Sequence, residues 1–401
     1  MLQGTLKGIK EQLMRDKLYH EVAYKKVELD SHEVHKAYRL SMREYELEFY
    51  TIKNKALAQK IEAVLDSVPE LADEMFKEVE EMLGKKPVHK VGYKDPNDEV
   101  IHEALFTNPL ELGTVVGPLR LSNGDYIVMK VLNWVDYPLI SGEEQRIRWT
   151  EVRQKIHQTR AGKLWRSYQA QVMKGKKIEF DKQTFKVLSN WAMQKYLRRN
   201  ENDSLNFRIA ELPSSASEIN LEAPFFTIDG KLWTVDDFRK ELMSHPLVFR
   251  TKNLNSKNFA EQFKFAIIDM MRDHYLTREA YKRGLDDSRD IHKTVEMWKD
   301  AYLAIGQQKR IMNFALEQGI INEDDNLGKL RYWESYLLEL QKKYGHSIRI
   351  NREALEKISL TNVDFFAVRP GVPYPVAVPG FPMLISSENL SYAKQGDDFL
   401  K

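Results

Sequence analysis

The residues able to do chemistry in this chain are easier to exclude than to assemble. None of its 401 residues is a cysteine, which removes disulfides, thiolate metal sites and cysteine nucleophiles together. His32-Glu33-Val34-His35 has the composition of a zinc-protease helix. Its histidines stand three apart where that chemistry needs four, with the glutamate beside the first, so the segment reads as a solvated helix face. His89 and His102 have no partners at ligand spacing, and there is no P-loop, Gly-x-Ser-x-Gly or dinucleotide fingerprint. Asp286-Asp287 and Glu323-Asp324-Asp325 read as charges that solvate loops. The informative stretch is Leu110 to Trp134. There, two runs of alternating polarity flank Ser122-Asn123-Gly124-Asp125, whose Asn-Gly offers the positive-φ positions of a tight hairpin turn.

The elements around that hairpin follow from periodicity. Amphipathic spacing through Ile9, Leu13, Leu18 and Val22 predicts a helix over 6–27, and Asp30 with Glu33 reads as a capping box opening a second helix over 32–42. Alternating, aromatic-rich 45–52 is a strand, and 56–83 is a helix broken or bent near Pro69. A short strand over 89–93, a helix over 98–106 and the hairpin complete this set. Beyond Pro138, 142–174 is a long helix, followed by a short strand and a helical turn in Ile178 to Leu188. This passage has a twin. Trp165, Tyr168, Ile178, Phe180, Phe185 and Leu188 are matched in type and order by Trp333, Tyr336, Ile348, Ile350, Leu355 and Ile358, the signature of an internal repeat; the tryptophans and tyrosines read as packing residues. Between the twins lie a polar, serine-rich linker and a compact hairpin around Asp229-Gly230, with Thr234 and Asp237 capping a helix. An amphipathic helix stopped at Gly284 and a further helix over 291–318 follow. Proline spacing in the tail favours an extended, polyproline-like path and forbids a central strand.

Composition bounds the function. The length exceeds the roughly 250 to 300 residues at which single cores stop growing, so two or more domains are expected. Hydrophobic residues make up 42% and charged residues 30%. No apolar run approaches the ~20 residues of a membrane helix. With 61 basic against 59 acidic residues, no net field gathers nucleic acid. The N-terminus carries charges throughout and lacks the apolar core of a signal peptide. The chain is therefore either cytosolic or begins after a targeting segment, and the missing cysteines suit an oxidising envelope without requiring one.

In its order of pieces the chain resembles the SurA-like and PrsA-like extracytoplasmic chaperones that carry a parvulin-type prolyl isomerase domain. The residues that carry the resemblance are Glu103 and Phe106 on a helix, then Leu110-x-x-Gly113-x-Val115-x-Gly117-Pro118, then a strand, a glycine-bearing turn and a last strand ending Lys130-Val131-Leu132. Further support comes from 25–38, from Leu276, Glu279, Ala280, Arg283, Gly284 and Leu285, and from the twin elements. The resemblance implies an α+β fold, a parvulin-like antiparallel sheet with helices plus mainly α-helical SurA-like segments. It divides the chain into 1–42, the helical end of a first chaperone domain; 43–137, the parvulin-like domain; and 138–199, a helix and strand completing the first unit. A linker over 200–224, a second helical chaperone unit over 225–360 and a proline-rich tail over 361–401 follow. On this reading Met1 starts within a domain whose first helices are missing.

Parvulins hold proline in an apolar pocket beside paired histidines with a cysteine or aspartate nearby. By resemblance the histidine positions fall at Phe49 and Tyr126, so the expected catalytic groups are replaced. What remains is an apolar set, Phe49, Tyr93, Phe106, Tyr126 and Met129, which reads either as core or as a pocket gripping proline or aromatic side chains. Tyr126 is the one candidate for catalysis. The resemblance thus implies a periplasmic or otherwise extracytoplasmic folding chaperone that holds unfolded or proline-containing clients, with no nucleic acid, metal or small-molecule cofactor, and with homodimer formation left open. The 14 methionines, 18 phenylalanines and 18 tyrosines suit adaptable grooves. The rivals are an active isomerase using the Tyr126 hydroxyl and a structural envelope subunit with one fixed partner.

Overall fold

In a computed structural model the described residues are 2–67, 71–84, 88–197, 219–242, 244–251, 253–344, 347, 359–360, 366–369 and 372–380. They form helices and small antiparallel sheets, an α+β protein. The elements run α1 (Leu2–Val22), α2 (Ser31–Leu40), β1 (Arg43–Ile52), α3 (Lys55–Ser67), α4 (Ala72–Leu83), β2 (His89–Gly92), α5 (Glu99–Phe106), β3 (Val115–Arg120), β4 (Tyr126–Asp136) and α6 (Gly142–Met173). After these come β5 (Glu179–Phe180), α7 (Lys182–Leu197), β6 (Pro224–Ile228), β7 (Lys231–Thr234), α8 (Val235–Glu241), α9 (Phe259–Lys282), α10 (Arg289–Glu317) and α11 (Asn326–Tyr344). Three short strands, β8 (Ser359–Leu360), β9 (Phe366–Arg369) and β10 (Val372–Ala377), close the order.

The chain divides into two units, Glu21–Ser167 and a discontinuous one made of Met1–His20 with Tyr168–Lys401. In the first, an antiparallel sheet of order β2-β1-β4-β3 is buried on both faces. Tyr45, Leu47, Ile127, Met129 and Val131 pack with Leu105 and Phe106 of α5 and Leu40 of α2. Tyr50, Ile52 and Val128 pack with Ala58 and Ile61 of α3 and Phe76 and Val79 of α4. The period-2 pleat divides these residues between two layers. One bulge corrects the pattern: Glu46 pairs with Asn133 but Leu47 pairs with Val131, so Leu132 is the extra residue and is exposed. The bulge returns Trp134 to the α5 layer, where it edges Tyr45 and carries Arg43 on its ring.

The β3–β4 turn keeps the expected glycine but not the expected geometry. Only Gly124 has positive φ, at 92°. Its N–H donates to the Leu121 carbonyl, the Leu121 N–H donates to Asp125, and the Asn123 side chain accepts from the Asp125 N–H. Three loop residues ending in a left-handed glycine make this connection. Gly117 has a stricter need: its φ is 112°, and an added Cβ would lie 2.4 Å from the Ile127 carbonyl oxygen.

The second unit has an aromatic core. Phe225, Phe226 and Ile228 of β6 and Trp233 of β7 pack with Phe238 of α8, Phe259 and Phe263 of α9 and Leu188 and Ala192 of α7. Its sheet order is β5-β6-β7. Asp229 and Gly230 both take positive φ, 54° and 73°, the two-residue turn that matches strand twist. Thr234 and Asp237 form a reciprocal capping box, and Gly284, left-handed, ends α9.

The structure groups the chain differently from the expected domains. Phe180 of β5 pairs with Phe226 of β6, and the Asp181 N–H donates to the Phe225 carbonyl, so parts of 138–199 and 225–360 share one core. Ile219 and Leu221, expected in the linker, are buried in it. Asp30 caps α2 through the His32 N–H, but Glu33 pairs with Arg160 instead of completing a capping box. In the tail, β10 takes a strand in place of the polyproline path; it carries Pro373 and Pro375 and lies at the edge of the β10-β9-β8 sheet, where a missing N–H is tolerated. Residues 200–218 of the expected linker and the second twin's strand at Ile348 and Ile350 lie outside the described residues.

Shared burial of β5 with β6 makes a direct prediction. Phe180→Ala, which removes a ring 5.0 to 5.9 Å from those of Phe185, Phe225 and Phe226, should destabilise this unit by about 3 kcal/mol, read as a lower denaturant midpoint. An unchanged midpoint would separate β5 from this core.

Candidate functional site

The five residues expected to form one pocket are placed on both faces of the sheet. Phe49, Tyr93, Phe106 and Met129 belong to the α5 layer. Tyr126, first in β4 and paired with Ile52 and Arg120, packs in the α3–α4 layer. Met129 is 1% exposed and Phe106 3% exposed; they are core. Phe49 lies against His89, ring centroids 4.6 Å apart. Tyr93 alone of the set is half-buried at the rim of a cavity while touching the layer beneath.

That cavity lies between the end of β2, α5 and the middle of α6. Several contacts fix its walls. Asp98 caps α5 by accepting from the Val100 N–H and, with its other oxygen, from the Ser122 N–H in the β3–β4 turn, tying α5 to the hairpin. Helix α6 is held to α2 by Trp149 against His35 and Tyr38 and by Arg160, which donates to the Glu28 carbonyl and pairs with Glu33. On the floor, Tyr93, His102 and Phe106 form a triangle of rings with centroids 4.6, 5.0 and 5.3 Å apart. His102 and Phe106 stand one turn apart on α5.

Two lobes share Tyr93 and His102 of this triangle. One, of about 280 Å³, includes Phe106, Ile156 and Arg160 in its lining; the other, of about 530 Å³, includes Asp95, Pro96 and Gln158. Tyr93, His102 and Lys155 line both. Burial pushes the Tyr93 phenol up to about 12. Burial, with the positive charge of Lys155, holds the His102 imidazole below its usual value. At neutral pH the waist therefore presents an uncharged phenol and an uncharged imidazole beside an ammonium group. These groups can bind aromatic or proline side chains and hydrogen-bond a backbone; they include no activated nucleophile.

The other concentration of titratable groups is structural. In the discontinuous unit, Glu241 at the end of α8 accepts from both His245 and His274, each 2.8 Å from its Oε1. His245 Nε2 lies 3.2 Å from Thr277 Oγ1 and 3.5 Å from Glu11 Oε2 of α1, and Arg15 of α1 donates to the same threonine at 2.8 Å. Ser244 Oγ is 3.3 Å from His245 Nδ1, but that nitrogen already serves Glu241, so the pair cannot act as nucleophile and base. Among the described residues no group of three or more His, Asp or Glu is placed to hold a metal ion.

A third feature is apolar surface on two long helices. On α10, Leu303 and Phe314 are 52% and 55% exposed and stand about three turns apart on one face. On α11, Leu327 and Leu338 repeat that spacing at 56% and 37% exposure, with Leu330 beside them. Trp333 of α11 is buried and stacked on Tyr336. Sequence periodicity found these helices but not which of their apolar residues are exposed, because buried and exposed positions can have the same spacing. His102 and Lys155 were missed for another reason: only the i, i+4 pairing of His102 with Phe106 is local.

No protein-family model, curated protein or solved structure matches the chain. Among the described residues no helix is long and apolar enough to cross a membrane.

Glu241 sets an acid limit on stability. Burial alone would raise its carboxyl, but the two histidine hydrogen bonds outweigh burial and hold it far below the ordinary value of 4.5. A carboxyl depressed in the folded state contributes stability above its unfolded value and loses it as pH falls. The denaturant midpoint should therefore drop as pH is lowered from about 4.5. Glu241→Gln should be less stable at pH 6 and show a shallower acid dependence. Identical pH profiles for the two proteins would contradict the assignment.

Proposed function

We propose that the protein is an extracytoplasmic folding chaperone that holds unfolded or proline-containing polypeptide segments, and that its parvulin-like unit serves as a binding scaffold with little or no isomerase activity. The observation that carries this reading is the set of exposed large apolar side chains on α10 and α11, Leu303, Phe314 and Leu327 at half exposure or more and Leu330 and Leu338 at somewhat over a third. Large apolar side chains spread along two long helices are costly to leave in water unless something covers them. A holding function uses such surface without demanding one sequence. The waist of Tyr93, His102 and Phe106 adds a second, more selective surface of neutral rings.

One feature argues against catalysis. Isomerisation faces a barrier of about 18 to 20 kcal/mol, and lowering it calls for polar groups converging on one proline. Here the positions that resemble the family's histidines are Phe49 and Tyr126, in opposite layers. The compartment is carried by the resemblance and by the absence of cysteine.

The full chain should suppress aggregation of several unrelated unfolded proteins. Replacing Leu303 and Phe314 together by serine should weaken suppression several-fold while leaving the thermal midpoint nearly unchanged, since both residues are exposed. Peptide proline isomerisation should stay at the background rate, with Tyr126→Phe making no difference. Failure to protect any client, or protection of a single partner only, would sink the chaperone reading. An isomerisation rate lost on Tyr126→Phe would replace it with the enzyme.

A further inference from the structure

One lysine of the two-lobed cavity points to its ligand. Four of the five acidic lining residues are ion-paired, and Asp95 is held by a backbone hydrogen bond. Glu33 pairs with Arg160, Glu103 with Lys163 at 2.5 Å and Glu99 with Arg166 at 3.5 Å. Glu151 lies 2.9 Å from Lys94 and 3.2 Å from Arg148, and Asp95 accepts from the Gly92 N–H at 2.7 Å. His102 is uncharged at neutral pH for the reasons given above. Lys155 remains. It lines both lobes, is half-buried, and has no hydrogen bond or ion pair among the described residues. An ammonium partly withdrawn from water and left without a counter-charge is stabilised by an arriving anion. The rings of Tyr93 and His102 line both lobes with it, so an unpaired ammonium stands beside an aromatic wall, with the Asp95 carboxylate in the larger lobe only.

We propose that this cavity binds an extended peptide segment in which a carboxylate neighbours a proline or aromatic residue. Lys155 takes the carboxylate, and the Tyr93–His102–Phe106 triangle takes the adjacent ring. The lobes on either side of the waist take the flanking residues; together they have the size of sites that enclose small ligands. This deepens the chaperone reading and rests on it, by naming which client segments this unit selects. A charged hydrogen bond at a partly buried site corresponds to about a tenfold change in affinity.

The test uses the full chain and blocked pentapeptides of the form alanine–phenylalanine–proline–X–alanine, with X as glutamate, glutamine or lysine. Binding is measured by calorimetry at low and moderate salt. The natural chain should bind the glutamate peptide about tenfold more tightly than the glutamine peptide, and the preference should shrink with salt. Lys155→Glu should reverse the order, favouring the lysine peptide, a reversal that general loss of structure cannot produce. The glutamine peptide with a free C-terminus separates the two sources of carboxylate: binding equal to the glutamate peptide assigns a chain terminus as an accepted source, and weak binding restricts the site to side-chain carboxylates. Equal affinity for all three blocked peptides, or an order unmoved by Lys155→Glu, would overturn the proposal. Aggregation suppression that persists alongside charge-blind peptide binding overturns this inference alone. Charge-selective binding by a chain that protects no client overturns the chaperone reading alone.

Discussion

Burial of the β2-β1-β4-β3 sheet on both faces is the constraint from which the rest of the Glu21–Ser167 unit follows. A strand alternates its side chains strictly. Once Ile127, Met129 and Val131 are committed to the α5 layer, Tyr126 and Val128 must face α3 and α4. That alternation separates Tyr126 from Phe49 and Met129, whatever the chemistry of their side chains. The bulge at Leu132 is the single place where the pattern is reset, and it brings Trp134 into the layer that Asn133 would otherwise enter. The same layer supplies the platform for the cavity, since Phe106 anchors Tyr93 and His102 from below.

The discontinuous unit solves a different problem. Its chain enters as α1, leaves, and returns at Tyr168, so the core must be closed by segments distant in sequence. Aromatic packing does most of this: Phe180 and Phe185 interlock with Phe225, Phe226 and Phe263. The polar network around Glu241 and Thr277 then attaches α1. Buried carboxylate–histidine hydrogen bonds add little net stability over an apolar substitute, but breaking one strands its partner. Such a network fixes which face of α1 packs inward more than it strengthens the fold.

Local signals in the sequence were reliable where the physics is local. The Thr234–Asp237 cap, the Asp229-Gly230 turn and the Gly284 stop all appear as expected, because each is decided within four or five residues. The order of strand, helices, strand, helix and hairpin over 43–136 was equally legible. Pairing between distant segments was not. That β5 joins β6 depends on Phe180 meeting Phe226, and nothing near either residue announces it. Lys155 shows the same limit at the site. It lies far along the chain from Tyr93 and His102, and its lack of a counter-ion is a property of the folded unit. Glu33 illustrates the converse: it fits a capping box by spacing, but Arg160, from a helix much later in the chain, claims it.

We propose two polypeptide-binding surfaces, the exposed apolar side chains of α10 and α11 and the aromatic cavity with its unpaired lysine beside α6. Photo-crosslinking tests this most directly. A photoreactive residue is placed at Phe314, at Gln158 in the larger lobe, or at exposed Lys60 of α3 as a control, and the full chain is irradiated with an unfolded client. Client adducts at Phe314 and Gln158, with few at Lys60, are predicted. Adducts equally frequent at all three positions, or at none, would contradict the claim that these surfaces hold polypeptide.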